Sequence, residues 1–264
     1  MQLPPILLDI MLVLVAFAAG AQNAVAGGGS FLTFPALLLA GLDPRAANIT
    51  STIALFPGQI TTGLAGRKMV EGAAGLSFRT LFAISLIGGT FGAFLLLATP
   101  SSIFAKLVPY LVLFATAVFA WGSFFRRSSA ARARSISPRV AIFLQFLIAI
   151  YGGYFGGGIG ILMIAALTAA GLAVRGAGAT KNVLAGVMNT SAVLVFLAET
   201  SIHWKLVSLA AVGAIAGGQL GVVLLRRINE KILRIAVITI GILLTMAASP
   251  AVATLPGVTA SAPP

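Results

Sequence analysis

The chain has 264 residues, of which 59% are hydrophobic and only 8% are charged, and its mean hydropathy is +1.08. A soluble domain carries roughly a quarter of charged residues, so this composition excludes an ordinary soluble protein and indicates several membrane-spanning helices. The net charge of +12 resides in short loops between apolar spans, without a nucleic-acid-binding motif, which argues against a nucleic-acid partner. The chain has no cysteine, so disulfides and thiol chemistry are excluded.

Apolar runs between charged and turn-forming residues predict ten helical elements, so we expect an all-α polytopic membrane protein surrounded by lipid. The first half supplies the elements 6–26, 30–41, 46–66, 76–98 and 103–124. The second half supplies the elements 140–155, 159–171, 176–199, 204–225 and 231–248. The sequence thus divides into a first transmembrane repeat (1–125), a basic cytoplasmic linker (126–139), a second transmembrane repeat (140–248) and a disordered tail (249–264).

The two halves resemble each other in sequence. At an offset of 130 residues, AGLDPR at 40–45 lies over AGLAVR at 170–175, and Gln59 lies over Asn189. Each half has five elements, an odd number, so the second half would enter the membrane upside down relative to the first. With the linker in the cytoplasm, fourteen of the 17 basic residues fall on the cytoplasmic side, and both termini are predicted to be periplasmic.

Each half contains a short apolar segment that follows a run of three glycines. The segments 30–41 and 159–171 would reach roughly 18 Å as helices, which is short of a hydrocarbon core of about 30 Å. We therefore predict two re-entrant or broken-helix hairpins whose glycine-rich tips meet inside the membrane. Unpaired N–H groups at a helix start favour an anion. The alternative is that the glycines only permit close helix packing, as we expect of Gly88, Gly92, Gly213, Gly217 and Gly221.

A small anionic substrate is therefore expected at the hairpin tips. The candidate binding residues in the tips are Gly27, Gly28, Gly29, Ser30, Gly157, Gly158, Ile159 and Gly160. Polar residues of the third element of each half add Thr52, Gln59, Asn182 and Asn189. Amides are suitable donors to oxyanions, although helix–helix hydrogen bonding would also explain polar residues at this depth. Arg175 and Lys181 are interpreted as cytoplasmic anchors rather than as an electrostatic entrance.

The sequence offers no candidate catalytic residue, metal ligand or cofactor motif. An intramembrane enzyme would need convergent nucleophiles, acids or metal ligands, which one histidine and five acidic residues do not supply. Coupling to a proton or another ion stays open, with Glu199 as the best of the acidic candidates. The oligomeric state is open as well.

The motifs GAQNAVAGGGSFLTFPALLLAGL with AANITST, and YGGYFGGGIGILMIAAL with TKNVLAGVMN, resemble the paired signatures of the TauE/SafE family. The resemblance covers about residues 8–248 and implies a bacterial inner-membrane permease for sulfite, sulfonates or related organic anions. It places the family's motifs on Gly27–Ser30, on four glycines of the second half (Gly156, Gly157, Gly158 and Gly160) and on Lys181, Asn182 and Asn189. The leading hypothesis is a secondary transporter with alternating access, and an anion channel of the same architecture is the alternative.

Overall fold

The computed structural model describes residues 4–25, 27–120, 136–198 and 202–224, and the regular structure of these ranges is helical. The helices of the first half are α1 (Pro5–Val25), α2 (Ser30–Leu39), α3 (Pro44–Gly66), α4 (Phe78–Ala98) and α5 (Ser101–Ala120). Those of the second half are α6 (Pro138–Tyr154), α7 (Ile159–Ala169), α8 (Val174–Phe196) and α9 (Trp204–Leu224). The prediction of an all-α chain is confirmed for these ranges.

The predicted tenth element at 231–248, the tail at 249–264 and most of the linker lie outside the described residues. The end of the linker is described, and there α6 begins at Pro138, two residues before the predicted start of the second repeat. Ser137 caps this helix, because its Oγ accepts a hydrogen bond from the N–H of Val140 at 3.4 Å.

Short polar signals begin several helices. Asp43 caps α3 by accepting hydrogen bonds from the N–H groups of Arg45 and Ala46, and Pro44 occupies the first helical position. Ser77 caps α4 in the same way, through the N–H of Thr80. These caps satisfy backbone donors that no intrahelical carbonyl can reach.

Close helix pairs build the interior. Helix α1 packs along α9, α4 packs along α6, and α3 lies against α8. Glycines make the first two contacts possible: a Cβ on Gly221 would lie 2.7 Å from the carbonyl oxygen of Ala21, and one on Gly92 would lie 2.9 Å from the N of Tyr154. The packing role predicted for the glycines with four-residue spacing agrees with these contacts.

Large apolar side chains also cover the outside. On α4, the side chains of Ile87, Phe91 and Phe94 are more than half exposed. Among the described residues, Pro5–Ala24 and Phe78–Ala98 are long and apolar enough to cross a membrane by length and composition, and four further apolar helices are shorter. Exposed apolar faces of this kind are typical of helices that contact lipid.

Helices α2 and α7 are short, as predicted. They have 10 and 11 residues, hence about 15 Å of rise each, roughly half of a hydrocarbon core. Their glycine turns use the left-handed region of backbone space, with φ of +82° at Gly27 and +75° at Gly158. A residue with a Cβ rarely adopts this conformation, so the turns depend on glycine.

Candidate functional site

The two glycine turns contact each other. A Cβ added to Gly27 would lie 2.7 Å from the Cα of Gly160 and 3.1 Å from its N, so the backbones approach closely at this point. Gly27 follows α1 at the start of the first turn, whereas Gly160 belongs to the first turn of α7. The predicted meeting of the two tips is therefore present in the structure.

A small internal cavity lies beside this contact. Its volume is about 20 Å³, enough for one water molecule. Much of its wall is built from small residues, namely Gly20, Ala24, Gly27, Gly58, Gly160, Ala185 and Ala214. The polar and charged residues of the wall are Asn23, Gln59, Thr62, Lys181 and Asn182. None of the described residues that line the cavity is acidic, so its side-chain charge is positive when Lys181 is protonated.

Lys181 is the charged residue of this wall. Its side chain is only 2% exposed, although Lys181 lies just two turns into α8. Among the described residues, no carboxylate or other hydrogen-bond acceptor is paired with the Nζ of Lys181. The ion pair that the described residues do form is elsewhere, between Lys205 and Asp9 at 2.7 Å. The interpretation of Lys181 as a surface anchor is therefore wrong, because an anchor keeps its ammonium group in water.

The start of α7 adds backbone donors to the cavity. Its N-cap, Gly158, has no side chain to cap the helix, and its carbonyl oxygen accepts from the N–H groups of Ile161 and Leu162. In the described part of the chain no acceptor is found for the N–H groups of Ile159 and Gly160, the two residues of α7 that line the cavity. The positive end of the helix dipole is thus directed at the cavity beside Lys181.

The first glycine turn is different, because side chains of its own half bind it. The Nε2 of Gln22 donates to the carbonyl oxygen of Gly28 at 3.3 Å, and the Oδ1 of Asn23 accepts from the N–H of Gly29 at 3.5 Å. Deeper in the same half, the hydroxyls of Thr33 and Ser51 share a hydrogen bond of 2.6 Å. The first turn therefore offers fewer free donors than the second.

The structure brings five of the twelve predicted binding residues to the cavity wall: Gly27, Gln59, Ile159, Gly160 and Asn182. Asn189 stands directly behind it, because its Nδ2 donates to the Oε1 of Gln59. The remaining six do not line the cavity: Gly28, Gly29, Ser30, Thr52, Gly157 and Gly158. Thr52, for example, donates to the carbonyl oxygen of Asn48 in its own helix at 2.9 Å.

The twelve predicted binding residues did not include Asn23, Thr62 or the small residues of α1 and α9. The sequence could have indicated Asn23, because Gln22 and Asn23 are adjacent polar residues at the end of an otherwise apolar span, and Asn23 lies four residues before Gly27. It could not have indicated Gly20 and Ala214, because their role depends on how α1 and α9 pack. Glu199 lies outside the described residues, in which no group of three His, Cys, Asp or Glu side chains forms a metal site.

Taken together, apolar outer faces, two half-length helices and a small polar cavity between helices are features of helical membrane proteins, and of transporters in particular. Comparison with known proteins names the family. A family profile described as "Sulfite exporter TauE/SafE" matches residues 12–248, and the chain belongs to that family. It is therefore a membrane transporter.

Curated relatives from several bacteria carry names of the same kind. A "Probable membrane transporter protein" of Haemophilus influenzae is 27% identical over 247 residues, which cover 90% of this chain and 94% of the relative. The "Probable membrane transporter protein ORF9" of Sinorhizobium sp. is 31% identical over 214 residues, 80% of each chain. The "Probable membrane transporter protein YfcA" of Escherichia coli is 27% identical over 234 residues, 87% of this chain and 85% of the relative.

Proposed function

We propose that the protein is a secondary transporter that carries sulfite, an organosulfonate or a related small anion across the bacterial inner membrane. The observation that carries this proposal is the convergence of Lys181, Asn182 and the free N–H groups of α7 on one internal cavity. An ammonium group, amide donors and a helix N-terminus all stabilise an oxyanion, and the described wall has no carboxylate to repel one.

The size of the cavity supports transport through a conformational change. A volume of about 20 Å³ is too small for a sulfonate, so a substrate can bind only if the surrounding helices move apart. The glycine and alanine residues of the wall favour such movement, because backbones slide past one another without interlocking side chains. In the proposed mechanism, this arrangement is a closed form of the site.

The helix contacts support an inverted repeat as the basis of this change. In the two halves, α1 corresponds to α6, α3 to α8, and α4 to α9. The contact of α1 with α9 therefore matches that of α6 with α4. The contact of α3 with α9 likewise matches that of α8 with α4. Gln59 and Asn189, which are equivalent in the two halves, touch each other, and equivalent residues touch only near a twofold axis. In the proposed mechanism the two halves rock about this axis and open the cavity alternately to the cytoplasm and the periplasm, with both termini periplasmic.

Reconstitution into liposomes tests the proposal. Purified protein should take up labelled sulfite or a small alkylsulfonate with saturation, and unlabelled analogues should compete. Chloride and a primary amine serve as control solutes and should not compete. Counterflow then separates a carrier from a channel: a carrier accumulates label against internal unlabelled substrate, whereas a channel only follows the electrical gradient. Absence of saturable flux for every sulfur oxyanion would contradict the proposed substrate class.

A further inference from the structure

The two halves differ in charge at one equivalent position. Helices α3 (Pro44–Gly66) and α8 (Val174–Phe196) begin and end at positions separated by 130 residues, so Ser51 is the counterpart of Lys181. Ser51 is fully buried and its hydroxyl is engaged with Thr33. Among the described residues, this pair of equivalent positions therefore brings one cation to the cavity wall and not a symmetric pair.

We propose that this single cation makes the site selective for singly charged anions. The inference rests on the proposed function and narrows its substrate class: an alkylsulfonate or hydrogensulfite, each with one negative charge, in preference to a dianion such as a disulfonate or the fully ionised form of sulfite. Lys181 contributes one full positive charge, whereas the partial positive charge at the start of α7 is matched by an opposite one at the end of the helix and adds no net charge. A monoanion leaves the occupied site near neutrality, whereas a dianion leaves an excess negative charge at membrane depth.

The surroundings of Lys181 make this balance important. Its side chain is 2% exposed, no described acidic residue lines the cavity, and the remaining polar groups of the wall are neutral amides and a hydroxyl. An uncompensated charge inside a membrane protein is strongly unfavourable, because neither water nor a counter-ion solvates it. Neutral donors such as Asn182 can orient an oxyanion but cannot cancel a second charge.

Competition binding to the purified full-length protein in detergent tests the inference. Three probes share a similar sulfur–oxygen group and differ in charge: ethanesulfonate with one negative charge, 1,2-ethanedisulfonate with two, and ethyl methyl sulfone with none. Against labelled ethanesulfonate, we expect unlabelled ethanesulfonate to bind about tenfold or more tightly than the disulfonate. The neutral sulfone should not compete measurably.

The variant Lys181→Gln removes the charge and keeps a polar side chain. We expect its affinity for ethanesulfonate to fall about a hundredfold, because the start of α7 and the neutral amides remain but the full positive charge is lost. Lys106→Gln is the matched control, since Lys106 is an exposed lysine of α5, and its order of affinities should equal that of the unmodified protein. If Lys181→Gln does not fold, the order measured with the unmodified protein decides alone.

The outcomes separate the two proposals. Equal affinity for ethanesulfonate and the disulfonate, or an unchanged preference for the anion over the sulfone in folded Lys181→Gln, would overturn the charge selectivity and leave anion transport standing. Binding of neither sulfonate nor sulfite by the unmodified protein would overturn both. Tight binding of the monoanion that depends on Lys181 supports both.

Discussion

The two glycine turns are similar in sequence and different in chemistry. In the first turn, Gln22 and Asn23 hydrogen-bond to the backbone of Gly28 and Gly29. In the second turn, the N–H groups of Ile159 and Gly160 have no acceptor among the described residues and lie at the cavity. The first turn is thus bound by side chains of its own half, whereas the second turn has backbone donors without an acceptor among the described residues.

The residues one helix further on show the same division. On α3, the hydroxyl of Ser51 forms a hydrogen bond with that of Thr33, and the hydroxyl of Thr52 donates to the carbonyl oxygen of Asn48. Their counterparts on α8, Lys181 and Asn182, line the cavity. Equivalent positions of the two halves therefore differ in chemistry, and functional residues have to be sought separately in each half.

The largest effect is expected where the two turns touch. Gly27→Val should reduce transport by about a hundredfold or more, because its φ of +82° disfavours a branched residue and its Cβ would lie 2.7 Å from Gly160. Initial uptake rates in liposomes measure the loss. Gly178→Ala is the control, since nothing lies within 4 Å of the added Cβ, and it should transport normally. Normal rates for Gly27→Val would show that the contact between the turns is not required.

Asn182 and Thr52 test the division between the halves directly. Asn182→Ala should raise the KM for the transported anion about tenfold, because a hydrogen bond to a charged group is lost. Thr52→Ala should leave KM within about twofold, since the Thr52 hydroxyl bonds only within α3. Concentration-dependent uptake gives both values. Similar increases in KM for the two variants would remove the proposed asymmetry.

The hydrogen bond between Asn189 and Gln59 should have an intermediate effect. Asn189→Ala removes the donor that holds Gln59 at the cavity wall, and we expect KM to rise about threefold to tenfold. The double variant Asn189→Ala with Gln59→Ala should cost less than the sum of the single variants, because the two side chains act as a pair. Strict additivity of the changes in log KM would show that Asn189 does not act through Gln59.

The smallest effect on transport is expected at Ser51. Ser51→Ala breaks the buried hydrogen bond with Thr33 and should lower the free energy of unfolding by about 1 kcal/mol. Transport at saturating substrate should stay within about twofold of the unmodified protein. Thermal unfolding in detergent measures the first quantity and liposome uptake the second. Loss of transport at unchanged stability would place Ser51 in the binding site and contradict the division proposed here.

Much of the helical organisation was predictable, because hydropathy and glycine placement act locally. The runs 30–41 and 159–171 are too short to span a membrane whatever they pack against, and α2 and α7 are indeed short. The glycine turns were predictable for the same reason, since residues without a Cβ are needed at positive φ.

The composition of the site was less predictable, because the burial of a residue and the direction in which it faces depend on packing between helices that are distant in sequence. Lys181 is only the eighth residue of α8 and has the sequence context of an interfacial anchor, yet its side chain is buried at the cavity wall. Gly28, Gly29 and Ser30 match the motif as well as Gly27 does, but only Gly27 faces the cavity. A single sequence does not indicate which of several neighbouring residues in a turn faces the cavity.

The most direct test of the central claim asks whether the transported anion occupies this cavity. The chain has no cysteine, so Ala185→Cys places a single thiol on the cavity wall, and Ser77→Cys places one in an exposed loop as the control. The rate of labelling by a small neutral thiol reagent is measured with and without a saturating alkylsulfonate. We expect the sulfonate to slow labelling at position 185 about tenfold and to leave position 77 unaffected. Equal labelling at position 185 in both conditions, with a protein that still transports the sulfonate, would contradict the assignment of the cavity as the binding site.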